Sequence, residues 1–185
     1  MKRKMWSKTE IAFILIIILI IAGIFVMLNR EPKVSSYTKN LFYMDTYINV
    51  KIYEDNKKVL DEIDNLYKSY HELTDRYTAY EGIVNVYYLN NTLKINEQIK
   101  IDSRLYNLIK YAIDYNKMTD GNINIALGNA IDVWKQYRDG VKSGIPTIEE
   151  LKSSGSININ NIKLSEDSYT KTSNVKIDLG CIAKG

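Results

Sequence analysis

Cysteine and histidine are nearly missing. The 185 residues hold one of each, Cys181 and His71. A lone cysteine excludes an intramolecular disulfide framework, and it fits an exported domain that does not depend on such bonds. With a single histidine beside it, a zinc centre of histidine and cysteine ligands is excluded. So is a confident Ser-His-Asp triad. His71 itself lies one residue off the apolar stripe of a predicted helix, which reads as a surface or half-buried helix position. The glycine-rich G-x-G-x-x-G fingerprint and the P-loop pattern are absent. There is no internal repeat. A basic surplus is also missing where it would matter. The formal charge of +3 comes from the first 33 residues, which carry six Lys/Arg against two Asp/Glu. The rest of the chain is close to neutral, so composition offers no case for a nucleic-acid partner.

What is present begins with "IAFILIIILIIAGIFVML", Ile11 to Leu28, without a charge. At about 1.5 Å per residue it is long enough to cross a bilayer core. It exceeds an ordinary signal-peptide core, and no small-x-small cleavage site or lipid-accepting cysteine follows it. Lys2, Arg3, Lys4 and Lys8 precede it, which favours a cytoplasmic N-terminus. The expected organisation is a cytoplasmic N-terminus over 1–10, a single-pass anchor over 11–28, a polar linker over 29–40, and a folded region over 41–185. The folded region is expected outside the cytoplasm of a bacterial cell membrane.

Within that region, Leu41–Glu54 alternates and is rich in β-branched and aromatic residues, which predicts a strand. Leu60, Ile63, Tyr67, Tyr70 and Leu73 make one face of a helix over Asn56–Tyr77. Val84–Asn90 is ambiguous between strand and short helix. Leu93–Asp102 reads as a strand or hairpin arm. Asp102 or Ser103 can cap a helix running to Met118. Gly121 breaks that helix, and Ile125–Arg138 forms the next. Thr147 and Glu150 have capping-box spacing for a short helix. Ser156–Leu164 and Val175–Gly180 read as strands separated by the polar turn "SEDSYTKTSN". The fold class is α+β, a mixed α/β arrangement without clean βαβ alternation.

Three stretches stand out chemically. "MDT" (Met44–Thr46) puts an aspartate inside a predicted strand, where β propensity disfavours it; a bulge or edge position would explain it. "DGNIN" (Asp120–Asn124) frees the backbone at a helix start, which a plain loop would also do. "IDLGCIAKG" (Ile177–Gly185) combines a carboxylate, a turn-forming glycine and a lysine. Asp178 could ligate a hard cation or accept ligand hydrogen bonds. Amides after Gly180 could favour anions, and Lys184 could balance phosphate charge.

In this order, the stretches resemble the ApbE family, the FAD:protein FMN transferases. "FYMDTYINVKIY" resembles the opening M-D/G-T strand, and "TDRYTAYEGIVNVYYLN" a segment ending in L-N. "TDGNINIALGNAIDVW" resembles the G-x-x-[DN] stretch leading to a tryptophan. "IDLGCIAKG" resembles the D-L-G-G-I-A-K-G motif, the most specific of the four. The resemblance implies binding of FAD and Mg²⁺, transfer of FMN to a Thr or Ser hydroxyl, and departure of AMP. The implied acceptor is a flavoprotein subunit of a membrane electron-transfer complex. By the same resemblance Met44 and Tyr80 would line the FAD site, and Asn122, Ile123 and Asn124 would contact FAD. Asp178 and Lys184 would hold FAD or its phosphates. Cys181 would offer its backbone carbonyl to the metal at a position where the family motif has glycine, and a side chain there could crowd the site.

Members of that family continue into a stretch of the form H-x-x-D-P-x-[ST]-G, with a histidine that activates the acceptor and further metal ligands. That stretch does not occur in these residues. The expectation is therefore the N-terminal part of an ApbE-like domain behind a single transmembrane helix, truncated and inactive alone, with no catalytic residue of its own. The alternatives are a membrane-tethered flavin-binding module without catalysis, or an extracytoplasmic interaction domain.

Overall fold

The structure is a computed structural model that describes residues 7–29, 36–53 and 56–182. Its first element, α1 (Lys8–Leu28), begins three residues before the uncharged run. Ser7 and Glu10 form a reciprocal capping box there, satisfying amides that would otherwise be orphaned. At 21 residues, α1 is long and apolar enough to cross a membrane, and none of it is buried against protein.

The predicted strand at Leu41–Glu54 is instead an antiparallel hairpin. β1 (Tyr37–Tyr43) pairs with β2 (Thr46–Ile52), from Tyr37 opposite Ile52 to Tyr43 opposite Thr46. Met44 and Asp45 close it in two residues, both at φ 53°. That is the sign pattern of a tight primed turn, which matches the right-handed twist of the strands. The aspartate that looked misplaced in a strand is a turn residue, a position it tolerates. The hairpin also starts inside the expected linker, because Tyr37 and Thr38 pair with Ile52 and Lys51. Glu54 lies outside the described residues.

The helix face predicted in Asn56–Tyr77 is present as α2 (Lys57–Thr74), which packs on β1. Leu60 and Leu73 are buried, as is Leu41 on the hairpin. Lys39 reaches from β1 to Asp61 and Asp64, each at 2.8 Å, and the Tyr43 hydroxyl donates to Asp64 at 2.7 Å. The ambiguous segment becomes a short helix, α3 (Val86–Asn91), capped by the Asn85 side chain. Within Leu93–Asp102 only β3 (Gln98–Lys100) is strand. Asp102 caps α4 (Ser103–Met118), and Leu105, Ile109 and Ala112 of its stripe are buried. A 3₁₀ turn over Ile125–Leu127 leads into α5 (Gly128–Arg138).

The Thr147/Glu150 capping box starts α6 (Ile148–Ser153) as its spacing predicts. Bonds from the Tyr137 hydroxyl, the Thr147 amide and Lys142 hold the Glu150 carboxyl down at about 2, from an ordinary 4.5. A depressed acid contributes stability above its unfolded value and loses it as pH falls through the folded one. Fraying of α6 is therefore expected between about pH 4.5 and 2, and it should be absent in Glu150→Gln, whose helix starts weaker at every pH. Amide exchange across Ile148–Ser153 checks this.

Toward the C-terminal side the pattern departs further from expectation. Ser156–Leu164 is not a continuous strand: a 3₁₀ turn at Ile159–Asn161 precedes β4 (Ile162–Ser165). The supposed polar turn contains β5 (Ser168–Lys171), joined to β4 through Glu166 and Asp167, both at positive φ. β5 is the central strand of a three-stranded antiparallel sheet ordered β3-β5-β4. Tyr169 and Lys171 are its buried positions. Lys171 points inward because its ammonium donates to the carbonyls of Leu89 and Asn90 at the end of α3, at 2.8 and 3.2 Å. A cation suits that end of a helix, although burial lowers its basicity.

Val175–Gly180 is not a sheet strand either. It makes one isolated parallel bridge, Ser156 to Val175, and otherwise runs extended through the core between α3 and the start of α5. Val175 and Ile177 are fully buried and join Val86, Leu89, Leu105 and Ile109 in the main apolar cluster.

Candidate functional site

The end of α2 organises the candidate residues into two adjoining groups. The first surrounds the hairpin turn. The Met44 amide donates to His71 Nδ1 at 3.3 Å, and His71 Nε2 lies 3.3 Å from the Tyr80 hydroxyl. That hydroxyl donates to Asp75 Oδ2 at 3.0 Å. Asp75 is the C-cap of α2, and its other oxygen accepts the amides of Tyr77 and Thr78. Burial acts to raise the Asp75 carboxyl, but those amides and the Tyr80 hydroxyl together hold it below its ordinary value. Burial and the Asp75 bond both push the Tyr80 phenol up, so it stays protonated.

The second group centres on Arg76, whose side chain keeps 7% of its surface exposed. Nη1 donates to Asp178 Oδ2 at 2.6 Å. Nη2 donates to Asp132 Oδ1 at 2.6 Å and to the Gly128 carbonyl at 3.0 Å. Lys176 completes the network on Asp132 Oδ2 at 2.9 Å. The sequence reading passed over Arg76 and Asp132 because both looked like ordinary helix-end and helix-surface charges. The "DRY" triplet at the end of a periodic helix carried no signal that its arginine was buried.

Asp178, expected to face a ligand, has both carboxylate oxygens engaged by the protein. Arg76 holds Oδ2, and Oδ1 accepts the Gly180 amide at 2.8 Å. The Asp178 amide donates to the Ile125 carbonyl at 2.8 Å. Leu179–Ile182 then closes as a turn, with the Ile182 amide on the Leu179 carbonyl at 3.0 Å. Lys184 lies outside the described residues, as does any helix beyond the turn. Cys181 is exposed. Desolvation raises its thiol, and its own backbone amide only partly opposes this. It is a protonated thiol at neutral pH, with little thiolate reactivity.

The Ile125–Asp178 bond brings the end of "DGNIN" against "DLGC". Asn124 spans two roles: Oδ1 accepts the Ala126 amide at 2.8 Å and Nδ2 donates to the Ile157 carbonyl at 2.9 Å. The Ile123 carbonyl accepts from buried Asn116 at 2.7 Å. Asn122 is exposed and folds back on the Thr119 carbonyl at 2.8 Å. Gly121, at φ 83°, provides the reversal that starts this loop. Met44 and Tyr80 are joined to each other by His71. They belong to the group next to Arg76 rather than to the Asn122–Asn124 loop. A groove of about 300 Å³ lined by Ser69, Glu72, Val84, Lys100, Asp102 and Arg104 includes none of the predicted site residues.

Two close approaches hold the 175–180 segment in place. Asn90 Nδ2 donates to the Ile177 carbonyl at 2.9 Å, and Asn90 Oδ1 accepts the Ile177 amide at 2.7 Å. One side-chain amide thus replaces the neighbouring strand that the segment lacks. At Gly128, an added Cβ would sit 2.7 Å from the Lys176 carbonyl oxygen and 2.8 Å from the Lys176 Cβ. Gly128→Ala should therefore cost about 1–3 kcal/mol by overpacking, read as a lowered urea midpoint; an unchanged midpoint would mean the segment slides away freely.

Among the described residues no group of three or more His, Cys, Asp or Glu side chains is placed to hold a metal. The residues named for Mg²⁺ do not make a site by themselves. The Asp178 carboxylate is committed to Arg76 and Gly180, and one Cys181 carbonyl falls far short of an octahedral oxygen set.

The fold is a mixed α+β arrangement of the kind seen in flavin transferases. Solved structures share it. The apbe protein of Thermotoga maritima superposes with a TM-score of 0.68 at 23% identity, over 82% of this chain and 49% of that one. The flavin transferase ApbE of Vibrio cholerae gives 0.66 at 19% identity, over 78% and 48%. The Pseudomonas stutzeri flavinyl transferase ApbE gives 0.67 at 17%, over 82% and 48%. The profile of the ApbE family matches residues 44–185, and the chain belongs to that family. Among curated proteins, the FAD:protein FMN transferase of Buchnera aphidicola is 26% identical over 176 residues. That of Vibrio cholerae is 25% identical over 158 residues. The chain spans about half the length of these relatives, 48% and 46%.

Proposed function

We propose that this chain is part of an FAD:protein FMN transferase and supplies the part of the site that receives FAD. In the reaction, a Thr or Ser hydroxyl of an acceptor flavoprotein attacks the FMN phosphorus of FAD. The new phosphoester joins FMN to the acceptor, the pyrophosphate bond breaks, and AMP leaves. The acceptor hydroxyl loses its proton to a base that these residues do not provide.

The observation that carries this reading is the family match over segments that pack together: the end of "DGNIN" against "DLGC" through the Asp178 amide on the Ile125 carbonyl, with Arg76 tying Asp178 to the start of α5. Met44, Tyr80, Asn122, Ile123, Asn124, Asp178 and Lys184 are the proposed FAD contacts. Given its internal bonds, Asp178 acts mainly by shaping the Gly180 turn. Mg²⁺ and a carbonyl contact from Cys181 enter through the resemblance alone. The helix α1 is the proposed single-pass anchor in a bacterial cell membrane. With the domain outside the cytoplasm, it could meet a flavoprotein subunit of a membrane electron-transfer complex.

The test incubates the full chain, in detergent micelles, with FAD and an acceptor flavoprotein, with and without Mg²⁺. Retained FAD and no in-gel flavin fluorescence on the acceptor is the expected result for this chain. Asp178→Asn should weaken FAD retention about tenfold, since it loosens the turn without emptying it. Fluorescence on the acceptor would overturn the inactivity of the isolated chain, and a folded chain without FAD affinity would overturn the flavin reading. Resistance of the chain to alkaline extraction from membranes checks the anchor.

A further inference from the structure

We infer that His71 is a positioning residue that holds the Met44–Asp45 turn and the Tyr80 hydroxyl together, through one fixed tautomer of its ring, and so sets affinity for FAD. The inference rests on the proposed flavin reading only for its last step. The turn needs such a hold. Met44 sits at φ 53°, which is unfavourable for a side chain of its size, and it lacks the Asn-Gly chemistry that usually stabilises these turns. Its amide faces inward to α2 and finds one acceptor, His71 Nδ1, at 3.3 Å.

The geometry fixes the proton. A backbone amide can only donate, so Nδ1 must carry the lone pair and Nε2 the hydrogen. Nε2–H then donates to the Tyr80 oxygen at 3.3 Å, and the Tyr80 O–H goes on to Asp75 at 3.0 Å. Every donor in the chain Met44–His71–Tyr80–Asp75 has one acceptor, and all point the same way. The ring is also held by aromatic neighbours on both sides, Tyr43 at 5.7 Å and Tyr80 at 6.3 Å between centroids. A second proton on His71 would set N–H against N–H at Met44 and release the turn.

The titratable groups that face the ring are Tyr43 on β1, Tyr80 in the following loop and Asp75 beyond it. Glu72 is adjacent on α2, and Asp64 and Lys39 stand behind Tyr43.

The experiment uses the full chain in lipid nanodiscs. Nitrogen NMR at pH 8 should show Nε2 protonated and Nδ1 bare, and the Met44 amide should carry a hydrogen-bonded shift that disappears in His71→Phe. His71→Asn, whose Oδ1 can replace Nδ1 as acceptor, should bind FAD within about twofold of wild type. His71→Phe keeps the ring packing but not the acceptor. It should bind FAD roughly three- to tenfold more weakly, the equivalent of one ordinary hydrogen bond. A ring protonated on Nδ1 at pH 8, or unchanged FAD affinity in His71→Phe, overturns the inference. No FAD binding by the wild-type chain overturns the flavin reading and the affinity step. The turn-holding role is then decided by the Met44 and His71 signals alone.

Discussion

Arg76→Met is expected to destabilise the folded region by about 3 kcal/mol, the low end of what breaking a buried ion pair costs. The guanidinium is 7% exposed and serves Asp178, Asp132 and the Gly128 carbonyl at once. Removing it leaves Asp178, at 18% side-chain exposure, with no other ion-pair partner among the described residues. Asp132 is less affected, because it is a third exposed and keeps Lys176. That asymmetry keeps the estimate at the low end. Arg76→Lys should lose about half as much, since one ammonium cannot span both carboxylates and a carbonyl. The decisive measurement is a double-mutant cycle on urea midpoints, with Arg76→Met and Asp178→Asn singly and together. A coupling of 1 kcal/mol or more is expected; strict additivity would mean the bridge contributes nothing to folding. The same substitution should also loosen the 178–182 turn and weaken FAD retention.

Asn90→Leu is expected to cost about 2–4 kcal/mol for a different reason. No charge is lost. Two backbone groups of Ile177, which is fully buried, lose their partners together. An orphaned buried donor or acceptor costs about 1–3 kcal/mol, far more than the bond contributes when made. Leucine is similar in size, so the cost is not one of cavity formation. Hydrogen exchange reads the effect locally: the Ile177 amide should lose its protection well before those of α4. If it exchanges as slowly as in wild type, the side-chain amide is not standing in for a strand.

These two residues show where sequence reading ran out. Local patterns identified the helices of the folded region other than α3, which stayed ambiguous with a strand, because caps and apolar stripes lie within a few positions of one another: Asp102 before α4, Thr147 and Glu150 around α6, Leu60 to Leu73 along α2. Strands were read less well. The hairpin passed for one strand because Met44–Asp45 lacks glycine or asparagine, and its support, His71, is 27 positions away. β5 was mistaken for a turn because one of its two buried positions is a lysine, whose partners are the carbonyls of Leu89 and Asn90. Val175–Gly180 has strand composition but takes its hydrogen bonds from Asn90, Ile125 and Gly128 instead of a neighbour in a sheet.

The candidate site divides along the same line. Its motifs were legible as words: "MDT", "DGNIN" and "IDLGCIAKG" named the family that the comparisons bear out. The sequence by itself determined the apolar anchor-length helix, the longer helices of the domain and the family, since each depends on residues close in the chain or on their order. Only the tertiary structure decided that Asp178 answers to Arg76, that His71 links Met44 to Tyr80, and that Asn90 supports Ile177. Those choices rest on burial and on partners 9 to 102 positions apart. An arginine, a histidine and an asparagine look the same in a sequence whether water or a single buried acceptor completes them.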